Sequence, residues 1–251
     1  MTAQWKFAAL GALGGAVIAV AVVFGAAATG HFPTAPVDGK QVRAYLLKNP
    51  QIFAEIQERY AALQENQEDV AERARQMAVN SAGLKTFFDP KLAYVTGPAN
   101  AKVSLVEFFD YNCVHCRNTF PIIKAFYEAH KDSARFAFVD FPIFGKMSTA
   151  AARAAVAARR QTDKYVPFSF ALMSEPGAID LDVLMRVAVA SGLDMAKLTA
   201  DMKDPATDKT LAAARALAKR VNFDGTPTFI VNGKVHSGEI DEDTLKQLTG
   251  S

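Results

Sequence analysis

The chain has 251 residues, half of them hydrophobic, and a formal net charge of +2. Such a length and apolar content allow a real core, and a chain so close to neutral offers no case for nucleic acid or another anionic partner. A structural zinc or cluster site needs roughly four ligands, and this chain has two cysteines with no second pair and four histidines, one of which, His115, lies between the cysteines and cannot easily complete a chelate.

Residues 7–28 form an uncharged apolar run behind Lys6. At about 1.5 Å per residue it would cross a hydrocarbon core about 30 Å thick. A cleaved signal peptide has an apolar region of only about 7 to 15 residues, although Ala26-Ala27-Ala28 would satisfy a small-residue cleavage rule. Residues 1–30 therefore read as a signal or, in preference, an uncleaved inner-membrane anchor with Lys6 on the cytoplasmic side. Either one exports the cysteines to an oxidising compartment, the periplasm in a two-membrane cell.

Residues 31–90 read as a linker and a helical stalk. Asp38 and Gln41 have capping-box spacing, and Asn49-Pro50 predicts a new helix with Asn49 as N-cap and Pro50 at its first position. From there to about residue 80, Phe53, Ile56, Tyr60, Leu63, Gln67, Val70, Ala74 and Met77 fall alternately three and four apart. A narrow apolar seam on a polar helix needs a partner, so a homo-oligomer through residues 50–80 is expected. The alternative is that the helix folds back on its own catalytic domain. Leu84, Phe87 and Phe88 suit either a docking edge or a hinge.

Residues 91–251 read as an α/β catalytic domain. Strands are expected over 92–95, 103–109 and 136–141, with a helix over 113–130, where Phe120, Ile123, Phe126 and Tyr127 have helical spacing. A helical insertion follows over about 146–221, with helices over 148–158, 181–190, 195–202 and 206–220. Strands 229–231 and 234–236 flank Asn232-Gly233, a two-residue hairpin signal, and a helix over 241–248 closes the chain.

Cys113-Val114-His115-Cys116 directly follows the 103–109 strand. As a metal site the pair lacks further ligands, and as a staple it closes almost no loop. At the first turn of a helix, however, unpaired N–H groups and the helix dipole favour a thiolate. Cys113 is then the nucleophile and Cys116, one turn in and less exposed, the resolving thiol. His115 can donate to the thiolate or sit cationic beside it, and a stabilised reduced form makes the disulfide a stronger oxidant.

The segment FFDYNCVHC resembles the active-site segment of the thioredoxin superfamily, and of the DsbA-type oxidoreductases in particular. The resemblance implies a thioredoxin fold with a helical insertion and thiol–disulfide exchange on unfolded or misoxidised exported proteins. It implies no metal or organic cofactor beyond the redox-active Cys113–Cys116 disulfide, and a membrane redox partner that recycles it. Asp224-Gly225-Thr226-Pro227 looks like the family's cis-proline loop, which gives Pro227 a place against the disulfide and Thr226 and Val114 contact with substrate; an ordinary turn is the alternative. Glu107, six residues before Cys113, falls where the family keeps an acid that helps deprotonate the resolving thiol, unless it reaches solvent at a strand edge. Oxidases of the family usually carry Pro at the position of Val114, whereas the Thr before the proline and a self-associating stalk resemble isomerases and reductases. The stalk is similar to N-terminal extensions of DsbA-like proteins that include relatives linked to copper tolerance. A different class of function, Cu(I) capture or holding unfolded chains without turnover, stays open.

Overall fold

The structure, a computed structural model, describes residues 38–250; the apolar run 7–28 lies outside the described residues. Packing divides the chain into two compact units, one up to Leu63 and the other from Gln64 onward. The second unit thus includes the end of the stalk.

In the first unit, helix α1 (Gly39–Lys48) is capped by Asp38, whose carboxylate accepts from the Lys40 N–H at 3.0 Å. Helix α2 runs Gln51–Ala82. Asn49 does not cap α2 as expected. It ends α1, and its side-chain amide donates back to the Tyr45 carbonyl at 2.8 Å, satisfying an orphan acceptor of α1 instead of a donor of α2. The seam residues Phe53, Ile56, Leu63, Val70 and Met77 are all exposed.

Within the second unit, the end of α2 is held by a different stripe. Arg75 donates to the Asn222 carbonyl and pairs with Asp224 at 2.8 Å, while Val79 is buried. Gln76 donates to the Gly233 carbonyl and accepts from the Val235 N–H, both at 2.8 Å. Folding back and keeping the seam exposed are thus not exclusive, because two faces of one helix are involved. Leu84–Phe88 is a 3-10 turn, and Phe87 and Phe88 are buried beside Phe108, so this segment is core rather than a docking edge or hinge.

The sheet has the order β1-β3-β2-β4-β5: β1 (Tyr94–Thr96), β2 (Val103–Phe109), β3 (Ala134–Asp140), β4 (Thr228–Val231) and β5 (Lys234–Ser237). Only β2 and β3 are parallel, joined through helix α3 (Val114–His130). β2 is central and covered on both faces, which explains its nearly unbroken apolar run. By strand alternation Leu105, Glu107 and Phe109 face one core, shared with α3, while Val106 and Phe108 face the other, shared with Phe87, Phe88 and Leu217. The hairpin turns at Asn232 (φ 51°) and Gly233 (φ 83°), the left-handed pair that its two-residue loop requires.

Between β3 and β4 stand α4 (Lys146–Ala158), α5 (Tyr165–Met173), α6 (Leu181–Ala190), α7 (Met195–Lys203) and α8 (Pro205–Arg220). Helix α9 (Glu242–Thr249) closes the fold, capped by Asp241, which accepts from the Thr244 N–H at 2.7 Å. The first strand begins two residues later than expected, at Tyr94, because Leu92 and Ala93 lie in a turn closed onto the Asp89 carbonyl.

Candidate active site

The chain leaving β2 is tied down before it reaches the cysteines. Buried Asp110 accepts from the N–H groups of Asn112 (2.8 Å), Ile143 (2.7 Å) and Phe144 (3.0 Å), so one carboxylate joins the cysteine loop to the exit of β3. The Asn112 side chain bonds both the N–H and the carbonyl of Ile179, at 2.6 and 3.3 Å, which secures the same loop to the helical insertion. Arg117 reaches back from α3 to the Tyr111 carbonyl at 2.8 Å and also donates to the Glu175 carbonyl. Tyr111 is buried and its hydroxyl meets Asp140 and Ser169, at 3.1 and 2.8 Å. Asp140 in turn pairs with Arg159 of the insertion.

Cys113 is the N-cap of α3 and Cys116 lies in its first turn. Both thiols are free and both are buried, Cys113 at 1% exposure and Cys116 at 0%, so the difference in exposure expected between them is small. The Cys113 thiol donates to the Thr226 carbonyl at 3.1 Å, and the Thr226–Pro227 bond is cis. Pro227 therefore belongs to the loop against the thiol, and an ordinary turn is ruled out. Val114 stands exposed at the helix start.

The two thiols differ in acidity where they do not differ in exposure. Cys113 is lowered to about 6, chiefly by the hydrogen bond it receives from Cys116, with further help from the Thr226 side chain and from the Cys116 and His115 main-chain N–H groups, against the opposing effect of burial. Cys116 is pushed far up by burial, by its bond to Cys113 and by the nearby charge of Glu107. Glu107 is buried on the central strand, not at an edge, and is raised to about 8 by burial and by the Cys113 charge. The Glu107 carboxyl is thus protonated at neutral pH and is coupled electrostatically to both sulfurs.

His115 is exposed, with Nδ1 2.6 Å from Glu239 Oε1. What it gives Cys113 directly is its main-chain N–H. Glu239 and the Asp140–Arg159 pair were not singled out from the sequence. They lie 124 and 19 residues from their partners, and no local pattern links residues so far apart. Among the described residues no group of three or more His, Cys, Asp or Glu side chains is arranged to hold a metal ion.

The sequence profile of the family described as Thioredoxin matches residues 90–249. The chain belongs to the thioredoxin family. A thioredoxin-like oxidoreductase from Silicibacter pomeroyi DSS-3 is 36% identical, with a TM-score of 0.60 over 65% of this chain and 93% of that one. The thiol-disulfide exchange protein alpha-DsbA2 from Wolbachia pipientis is 25% identical, with a TM-score of 0.64 over 71% and 96%. Disulfide bond formation protein D of Bacillus subtilis is 31% identical over 170 residues, 61% of this chain and 73% of the relative. These relatives place the chain among the DsbA-like members. The Na(+)/H(+) antiporter NhaA of Herminiimonas arsenicoxydans is 27% identical over 157 residues, which make up 62% of this chain. The chain spans about a quarter of the length of such antiporter relatives, 25% for this one. No helix of the described residues is long and apolar enough to cross a membrane.

Proposed function

We propose that this DsbA-like thiol–disulfide oxidoreductase exchanges disulfides with exported proteins through Cys113, as an oxidase or, from the dithiol form, an isomerase. The observation that carries this reading is the asymmetric pair: an acidic Cys113 at a helix N-terminus against the cis-proline loop, and a Cys116 held protonated behind it. In the oxidising direction a substrate thiolate attacks Cys113 Sγ and the Cys113–Cys116 bond breaks. Cys116 leaves with the electron pair and takes up a proton, for which Glu107 is the nearby donor. A second substrate thiolate then attacks the substrate sulfur of the mixed disulfide and expels Cys113 as thiolate. The substrate has lost two electrons to the protein, and a membrane redox partner that accepts them closes the cycle. As an isomerase, the Cys113 thiolate attacks a substrate disulfide directly. Val114 and Thr226 flank the attacked sulfur and are the residues assigned to substrate contact, Thr226 through its backbone. The chemistry suits the periplasm, with residues 7–28 as the anchor.

Cys116→Ala tests the reading. Mixed disulfides should accumulate where the Cys113 thiolate attacks disulfides of exported proteins, because Cys116, the thiol that would attack Cys113 and release the substrate, is gone. Absence of trapped adducts would favour Cu(I) capture or a holdase.

A second reading concerns assembly. The seam residues Ile56, Leu63, Val70 and Met77 are each at least 57% exposed, which supports self-association through residues 50–80.

A further inference from the structure

The loop Gly238–Ile240 between β5 and α9 is clamped at both ends onto the candidate active site. The Gly238 N–H donates to the Pro227 carbonyl at 2.9 Å, directly after the cis bond. The Ile240 N–H donates to Thr119 Oγ1 at 2.9 Å, and that hydroxyl returns a bond to the Ile240 carbonyl at 3.2 Å. Glu239 sits between the clamps. Its carboxylate receives His115 Nδ1 at 2.6 Å and Asn118 Nδ2 at 2.9 Å, both from the start of α3. Its carbonyl is 2.8 Å from His236 Nε2, a third tie. An exposed glutamate with two main-chain clamps around it and two side-chain partners on the redox helix is not a casual surface ion pair.

We propose that Glu239 is a positioning residue that holds His115 as an imidazolium beside Cys113 and thereby sets how strongly oxidising the disulfide is. The idea rests on the disulfide-exchange reading of Cys113. A carboxylate on Nδ1 favours the protonated ring, and His115 is accordingly raised, first by that hydrogen bond and also by the Cys113 charge. The charged group bonded to the imidazole is Glu239 from the loop, and the Cys113 charge acts on it from its own turn; Asn118 is uncharged, and His236 reaches the Glu239 carbonyl and the Phe229 ring. A ring kept cationic to higher pH, two residues from Cys113, acts on the thiolate through space and stabilises the dithiol form, so the disulfide is reduced more readily.

The test is Glu239→Gln in the full chain, with two readouts. The His115 ring resonances, titrated by NMR, should show a lower midpoint than in the wild type. The equilibrium with glutathione should shift by about threefold or more toward the disulfide at pH 7.5, and the gap should close or reverse near pH 5.5, where the ring is cationic in both proteins. His115→Gln combined with Glu239→Gln should match His115→Gln alone, because the carboxylate acts only through the ring. A glutathione shift equal at both pH values, or one that persists when His115 is absent, would mean a structural role and overturn the proposal. Unchanged His115 titration would overturn it as well. A wild type that does not exchange with glutathione at all would instead sink the exchange reading on which it rests.

Discussion

Replacing Glu107 by Gln keeps the shape of the side chain and removes its titration. In the folded protein with free thiols Glu107 is raised to about 8, against an ordinary value of 4.5. Below pH 4.5 both folded and unfolded chains hold the proton and the residue is silent. Between 4.5 and about 8 the folded state keeps a proton that the unfolded state has lost, so stability falls as pH rises. At about 1.4 kcal/mol per unit, the accumulated cost is roughly 3 kcal/mol at pH 7 and about 4 kcal/mol at pH 8. Cys113 has the opposite sense. Its folded value of about 6 lies below the ordinary 9.0, so it adds stability as pH rises between the two and loses it as pH falls through 6. Because Cys113 is present in both proteins, the difference between wild type and Glu107→Gln isolates the carboxyl. Urea unfolding of the reduced proteins from pH 4.5 to 8.5 should show the variant gaining on the wild type at each step. Two parallel profiles would refute the argument, since they would mean that Glu107 finds solvent or a compensating partner.

Three further outcomes are expected. Cys116→Ala should raise the Cys113 midpoint above about 6, read from thiolate ultraviolet absorbance, because the largest stabilising hydrogen bond on Cys113 is removed; an unmoved midpoint would assign the effect to the helix N-terminus. Asp140→Ala leaves the Arg159 guanidinium without its buried carboxylate and the Tyr111 hydroxyl without one of its two partners, and should cost about 3–5 kcal/mol by urea unfolding; a loss below about 1 kcal/mol would contradict the pairing. Ile56→Glu with Leu63→Glu should convert an oligomer to monomers in sedimentation while the glutathione exchange rate holds; a monomeric wild type would dismiss the seam.

Period and punctuation made much of this architecture legible. The unbroken run 103–109, the Asn232-Gly233 turn and the cysteines at a helix start correspond to β2, the β4–β5 hairpin and the N-cap of α3. Helix α5 was not picked out as a separate element because YVPFSFALM is almost wholly apolar, its exposed positions being Pro167 and Ala171, so no polar face reveals its period. The stalk hid its second contact for the converse reason. Arg75 and Gln76 grip the catalytic domain through polar atoms, and hydrophobic spacing is blind to those. At the site, the chemistry on one strand and one helical turn was readable, including Glu107. Glu239 was not, since its meeting with His115 depends on the main-chain clamps at Gly238 and Ile240.

If it exchanges disulfides with unfolded chains as proposed, the protein risks becoming a template for them. Strand β5 forms one margin of the sheet, and its outward N–H and carbonyl groups could recruit any extended segment. Gln76 meets that hazard with a single amide, which supplies a donor to Gly233 and an acceptor to Val235 in the manner of a neighbouring strand. On that reading the domain presents Cys113 to half-made proteins while part of the β5 edge is already bonded to Gln76. Encounters are thereby biased toward the sulfur and away from backbone pairing that would not let go.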